Sequence, residues 1–416
     1  MNVKLGFDKT YLDLVIPDGN LQAVLVPNDV SIGLSGGAEV RRALRSPIGS
    51  PLLGDIVKKD EKVCIVTSDI TRPMPSKVAL PPVLDELEEA GVPLENIRIV
   101  LALGCHRCHT EQEMRDLVGD EVFESVEVLD GDPSDCVHLG TTKFGTPVDI
   151  CRSVAECDRI ICMGNIEYHY FAGYSGGAKA IMPGVSTRDA IQNNHSKMVL
   201  PEAKAGSLKG NPVREDIDSV VDFLPIDFIV NVVLDERKNI IKAVAGDYQK
   251  AHLEGCAFLD SLYKVNIKGQ ADIVVVSAGG YPKDINLYQA QKALDNAGHA
   301  VKEGGIIIWV ASCKEMFGEH VFEEWITKAS TPQYLIEEIQ RNFQLGGHKA
   351  AAIAMILERA NVLLVSDLED ELAKSIFLEP YASLQEAFDD ALAKKGKDAK
   401  VIVMPYGGST LPFVVE

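Results

Sequence analysis

No stretch of the 416 residues offers the roughly eighteen uninterrupted apolar positions that a bilayer span requires, and the opening Met1-Asn2-Val3-Lys4-Leu5 has no signal-peptide core. Neither a membrane protein nor an exported one is expected; the reading is a soluble, cytoplasmic protein. Positive charge is also scarce. Against 61 Asp and Glu stand 41 Lys and Arg, a formal net charge of -20, and no local basic patch relieves it. Such a field repels a phosphate backbone, so no nucleic-acid partner is expected. The nine cysteines are odd in number and lack disulfide-framework spacing. Cys64, Cys157, Cys162 and Cys313 lie in or beside apolar runs and read as reduced, buried side chains. Internal repeats and low-complexity segments are missing too.

What is present is ordinary globular composition, 46% hydrophobic and 25% charged, in a chain long enough for two or three domains. Residues 3 to 27 read as short strands, with Leu12 to Ile16 and Ala23 to Val26 clearest, in a hairpin-like opening. From Lys62 the pattern becomes apolar strands alternating with amphipathic helices. The strand Val63 to Val66 is followed by a helix from Pro75 to Ala90 interrupted near Pro81-Pro82, then by a strand from Ile97 to Ala102 and a helix from Glu111 to Val118. Strands at 126–129 and 159–163 continue the series. A second cycle begins at Ala271, with strands at 273–276, 306–309, 362–365 and 401–404 and helices near 286–301, 319–328, 332–341 and 348–358. Alternation of this kind predicts an α/β fold: two α/β domains with mainly parallel sheets, 1–267 and 268–416, and an active-site cleft between them. The last residues are expected to pack back on the first domain.

Chemistry concentrates where strands run into polar, glycine-marked turns. Thr67-Ser68-Asp69-Ile70-Thr71-Arg72-Pro73 combines hydroxyls, a carboxylate and the planar fork of an arginine, a set suited to a ribose, phosphate or carboxylate, although for this segment taken alone a capped helix start with a surface ion pair is the favoured reading. Cys105-His106-Arg107-Cys108-His109 spells the covalent-haem pattern, which requires export; zinc lacks a second ligand pair. The densest segment runs from Gly164 through Glu167-Tyr168-His169 and Gly173-Tyr174-Ser175-Gly176-Gly177-Ala178-Lys179 to Pro183-Gly184. Its glycines admit a ligand to the backbone and Lys179 is a covalent attachment point or phosphate contact, but no Walker A loop is formed. Ser186-Thr187-Arg188-Asp189 resembles a capping box opening a helix that carries His195 near its far end.

Taken together, these segments resemble the nickel-dependent lactate racemase family, whose members interconvert enantiomers or epimers of 2-hydroxy acids. The resemblance covers nearly the whole chain. It rests on Ser68-Asp69-x-Thr71-Arg72-Pro73, on Gly104-x-His106-Arg107, and on the block from Tyr168-His169 through Lys179 to Pro183-Gly184 and His195. Further matches are Gly210-Asn211-Pro212-Val213-Arg214, Gly279 to Asp284 running on to Gln289 and Lys292, and Gly346-Gly347-His348-Lys349. It implies a nickel-pincer nucleotide, the nickel(II) complex of pyridinium-3,5-bisthiocarboxylic acid mononucleotide, carried covalently by Lys179 through a thioamide, with His195 as the remaining nickel ligand; these two residues form the metal site. Asp69, Ile70, Thr71 and Arg72 would line the nucleotide, Arg72, Gln289 and Lys292 would bind substrate, and His106 and His169 would be the acid/base pair. Enzymes that build the cofactor are implied as partners.

The chemistry agrees with that transfer. Taking a proton from the α-carbon would build a second negative charge beside a carboxylate, whereas removing hydride, with one histidine taking the hydroxyl proton, gives a planar keto acid that can be reduced on either face. His109 follows the matched motif closely and competes for the catalytic position, with the Gly-x-His-Arg match favouring His106. Lactate is the first expected substrate; malate, 2-hydroxyglutarate, aromatic hydroxy acids and sugar acids are alternatives on the same core. From other classes, a Schiff-base lysine enzyme and a non-catalytic nickel-nucleotide binding protein are the competing readings.

Overall fold

The computed structural model describes residues 1–415. The chain divides into two compact units, one formed by Val30–Asp260 and the other by Met1–Asp29 together with the segment from Ser261 onward.

The 30–260 unit is built on a six-stranded sheet in the order Ile240–Gly246, Phe228–Leu234, Arg159–Asn165, Val63–Ser68, Ile97–Ala102, Glu127–Asp130. All neighbours are parallel except the outermost pair, Ile240–Gly246 against Phe228–Leu234. Val, Ile and Leu fill both faces of the central strands, as burial under helices on each side requires. The helix Ser76–Glu89 lays Leu80, Val83, Leu84 and Leu87 against Ile65, Ile99 and Leu101. It runs unbroken through Pro81 and Pro82, contrary to the interruption expected at that pair. The two prolines remove two N–H donors from the helix ladder, and the buried apolar stripe keeps the segment helical across them.

The second unit carries another six-stranded sheet, parallel throughout, in the order Glu379–Tyr381, Ala360–Val365, Val301–Val310, Ala271–Ser277, Val401–Met404, Leu21–Val24. The helices His320–Lys328, Pro332–Arg341 and Gly347–Leu357 fall where periodicity puts them. The expected division at 267/268 is corrected at both ends. Residues 1–29 belong to this unit because Leu21–Val24 becomes its edge strand and the hairpin Asn2–Phe7/Thr10–Val15 buries Val3, Leu5 and Leu14 with Ile273, Val275 and Ile308. A hairpin's short-range pattern says nothing about which distant sheet completes its core. The C-terminal strand Leu411–Val414 pairs with Lys264–Ile267, a stretch placed in the first domain by the expected division and in this unit by the structure.

All nine cysteines are free thiols; Cys64, Cys162 and Cys313 are buried and Cys157 is half-buried.

Candidate active site

In the 30–260 unit the chain enters the sheet at Val63–Ser68, adds Ile97–Ala102 and Glu127–Asp130 to one side, then crosses to Arg159–Asn165 on the other. The strand order therefore reverses between Val63–Ser68 and Arg159–Asn165, and ligands of open α/β sheets bind at the carboxyl ends of strands flanking such a reversal. The loops leaving these strands and Ile97–Ala102 carry Asp69 to Arg72, His106, and the segment from Glu167 to Lys179.

Asp69 is almost fully buried and its carboxylate collects the loop. It accepts from the Thr71 N–H at 3.2 Å and the Thr71 hydroxyl at 2.8 Å through Oδ1, and its Oδ2 takes Nδ1 of His106. Burial pushes the Asp69 carboxyl up, but the His106 and Thr71 hydrogen bonds and the Arg72 charge outweigh it and hold the group below its ordinary range. An ionised carboxylate only accepts, so Nδ1 of His106 bears hydrogen and the lone pair lies on Nε2. Thus Asp69 orients the His106 imidazole, a contact beyond the nucleotide lining expected of it.

Three residues further on, His109 is a different object. Its Nδ1 donates to Asp130 Oδ1 at 2.6 Å, its N–H donates to Asp130 Oδ2 at 2.8 Å, and its Nε2 accepts the Ile70 N–H at 3.1 Å. Both ring nitrogens are committed, which ties the loop after Ile97–Ala102 to the loop after Val63–Ser68. Cys105 and Cys108 are exposed free thiols flanking His106.

His169 sits on the short strand Tyr168–His169, paired antiparallel with Gly173–Tyr174. The Ala172 N–H donates to its Nδ1 at 3.2 Å, so the neutral ring carries its hydrogen on Nε2, the opposite tautomer to His106. The hairpin is pinned by Tyr168 and Tyr174, whose phenols both donate to Asp260 Oδ1, at 2.8 and 2.7 Å. Burial and the Asp260 charge push both phenols far up. The Phe171 ring stands edge-on to His169 at 4.4 Å and to His195 at 4.9 Å, which places the two imidazoles about one aromatic spacer.

The glycine-rich turn before Lys179 is held from outside. Asn231 Oδ1 accepts the Gly177 N–H at 2.8 Å, Arg214 donates to the Gly176 carbonyl at 3.3 Å, and His252 Nε2 donates to the Ser175 carbonyl at 2.8 Å. Gly177 has φ +61 and a Cβ there would lie 2.7 Å from the Arg214 guanidinium. At Gly173, with φ +77, a Cβ would fall 1.9 Å from the Ser207 carbonyl oxygen. Only glycine fits at Gly173, where the clash is with fixed backbone, and at Gly177 the positive φ strains any other residue. Lys179 emerges half-buried on the turn Gly177–Ala180, and burial together with the positive charges of Arg72 and Arg214 pulls its amine down to about 7, against a smaller upward pull from Glu167.

His195 ends the helix Arg188–His195. The helix is capped by Thr187, whose hydroxyl accepts the Ala190 N–H, so the expected capping box is replaced by a single-residue cap. Gln289 and Lys292 lie on the helix Leu287–Gly298 of the other unit, both exposed and three residues apart on one helical face. Sequence reasoning missed Asn231 and His252, although a lone Asn inside the apolar strand Phe228–Leu234 is the signal of a buried polar group with an assigned partner.

Two ordered imidazoles and a lysine of lowered basicity gather at the switch point of a doubly wound sheet, where such a cluster of titratable groups marks a candidate active site. The family model for the lactate racemase N-terminal domain matches residues 7–206, and that for the lactate racemase C-terminal domain matches residues 266–411. The lactate racemase of Thermoanaerobacterium thermosaccharolyticum is 35% identical over 99% of both chains, and that of Lactiplantibacillus plantarum is 34% identical over 97% of this chain and 98% of its own. The structure of the Thermoanaerobacterium lactate racemase apoprotein superposes with a TM-score of 0.87 at 34% identity over the whole of both chains. A crystal structure of a Thermotoga maritima protein shares the fold, with a TM-score of 0.62 at 18% identity over 92% of this chain and all of its own. The chain belongs to the lactate racemase family, and it is an isomerase of the racemase type.

Proposed function

We propose that the protein racemises lactate by reversible hydride transfer assisted by two histidines, using a nickel-pincer nucleotide linked to Lys179. The observation that carries this reading is the pair of opposite tautomers: His106 presents a lone pair on Nε2, while neutral His169 carries hydrogen on Nε2. Inverting a stereocentre reversibly needs one group ready to take a hydroxyl proton and another ready to give one.

The residues present suit the cofactor. An amine brought near neutrality is a nucleophile suited to acylation, which a thioamide link requires. Imidazole is a normal nickel ligand, and His195 is the candidate. Among the described residues no three His, Cys, Asp or Glu side chains are grouped to hold a metal ion, so nickel here would draw its other donors from the nucleotide itself. When bound, that group supplies a reversible acceptor for the α-hydrogen as hydride, so that substrate passes through a flat 2-keto acid.

The chain's own part is positioning and proton transfer. His106 takes the hydroxyl proton at Nε2 while Asp69 stabilises the resulting imidazolium through Nδ1–H. His169 returns a proton for the opposite enantiomer. Arg72, Gln289 and Lys292 bind the substrate carboxylate and hydroxyl, and Asp69 to Arg72 line the nucleotide. The helices of the described residues include none long and apolar enough to cross a membrane; the reading places the enzyme in the cytoplasm, served by cofactor-building enzymes.

The test is chiral chromatography after incubating nickel-loaded enzyme with single enantiomers of lactate deuterated at the α-carbon. Racemisation with the label retained is expected. Washout of deuterium into solvent rejects the hydride route, and preference for malate, 2-hydroxyglutarate or a sugar acid reassigns the substrate.

A further inference from the structure

Behind His195 lies a polar network that the reaction as described does not use. Asp216 is fully buried on the helix Pro212–Ser219, and its carboxylate accepts four side chains: the Thr142 hydroxyl at 2.7 Å, the Thr146 hydroxyl at 2.6 Å, the Asn194 amide at 2.9 Å and the Lys197 ammonium at 3.0 Å. Four donors, one of them cationic, offset the cost of burying that charge. Asn194 is fully buried as well. Its Nδ2 donates both to Asp216 Oδ2 and, at 3.1 Å, to the Val213 carbonyl.

Two acceptors facing one end of an amide leave no ambiguity about which end is nitrogen. The Asn194 oxygen is therefore the atom that lies 2.9 Å from His195 Nδ1. An amide oxygen only accepts, so Nδ1 must carry hydrogen, and in the neutral ring the lone pair is placed on Nε2. Metal-ligating histidines gain orientation and basicity from such a partner on the other nitrogen.

We infer that Asn194, anchored by Asp216, is a positioning residue that fixes His195 as its Nδ1–H tautomer and aims Nε2 at the metal of the loaded enzyme. The carboxylate acts through the amide rather than touching the imidazole, and the Thr142 and Thr146 hydroxyls set its orientation. The tautomer follows from the protein alone; the metal half of the inference rests on the nickel reading above.

The two halves are tested separately. In cofactor-free protein labelled with 15N-histidine, with His195 assigned by its loss in His195→Gln, the wild-type ring shows the Nδ1–H pattern. Asn194→Leu, which removes the oxygen facing the ring, loses it. A wild-type His195 found as Nε2–H overturns the inference whatever the variants do, as does an unchanged tautomer in folded Asn194→Leu. In loaded protein, nickel release to a chelator, followed by metal content, is expected to speed up roughly 10- to 100-fold in Asn194→Leu. Wild-type release from Asn194→Leu overturns the metal half. Wild-type nickel retention by His195→Ala instead overturns the ligand assignment of the proposed function and leaves the tautomer result standing.

Discussion

His106 and His109 lie on one loop, each with Nδ1 against a carboxylate, yet their second nitrogens are used differently. His109 gives its second nitrogen to the Ile70 N–H and has a side chain only 1% exposed, whereas His106, 15% exposed, keeps its Nε2 lone pair for a ligand. An imidazole with both nitrogens satisfied by protein is a strut; one with a single satisfied nitrogen is a reagent. Under the proposed function, this difference is what favours His106 over His109 as the acid/base.

The sharpest way to break that comparison is substitution at the reagents. His106→Gln and His169→Gln are each expected to cost about 10²–10⁴-fold in kcat without loss of nickel content. Retained activity in His106→Gln with activity abolished in His109→Gln would invert the assignment. Next in size is Asp69→Asn. Its amide can turn NH2 toward His106 Nδ1, favouring the wrong tautomer, and a loss of about 10²-fold in kcat is expected with KM little changed. A purely nucleotide-binding Asp69 would instead show reduced cofactor loading by intact mass.

His109→Gln sharpens the contrast from the other side. It weakens the hold on the part-buried Asp130 and releases the Ile70 N–H to water, so stability falls by about 1 kcal/mol in denaturant unfolding. Turnover is expected to fall less than about tenfold, because only the placing of the Asp69 loop is disturbed.

How far these roles were readable beforehand differs between the two kinds of information they require. The alternation of apolar strands and helices, the loops rich in Asp, Arg, His and Gly, and the segment ending at Lys179 are local patterns, and they stand where the sequence puts them. Asp69 and His106 are 37 residues apart, and His109 meets Asp130 over 21. Such pairings depend on which strands become neighbours in the sheet, and strand order is not written in any one strand. For the same reason the hairpin at the N-terminus looked like part of the unit that follows it, while its buried face is completed by strands some 270 residues later. Arg214 was visible only as one letter of a matched motif; its hold on the Gly176 carbonyl needed the fold.

A third imidazole extends the comparison to a ring whose hydrogen-bond partners are a carbonyl and a guanidinium. His252 is buried, donates from Nε2 to the Ser175 carbonyl and receives the Arg214 guanidinium at Nδ1, 3.4 Å away. Burial first, and the Arg214 charge second, pull its pKa down to about 3 from an ordinary value near 6.5. Above pH 6.5 the ring is neutral folded or unfolded and contributes nothing to the pH dependence. As pH falls below 6.5 the unfolded chain takes up a proton that the folded chain refuses, so stability is lost progressively toward pH 3. By pH 5 the loss amounts to about 2 kcal/mol for a single group. In His252→Gln, an amide can still donate to Ser175 and accept from Arg214, so melting temperatures of variant and wild type should agree near pH 7.5. Between pH 6.5 and 5 the wild type should fall more steeply, and carboxylate pairs, which titrate lower, stay common to both. Parallel curves across that window would mean that the glycine turn before Lys179 is not held by a neutral imidazole, and that the distinction between strut and reagent does not extend to it.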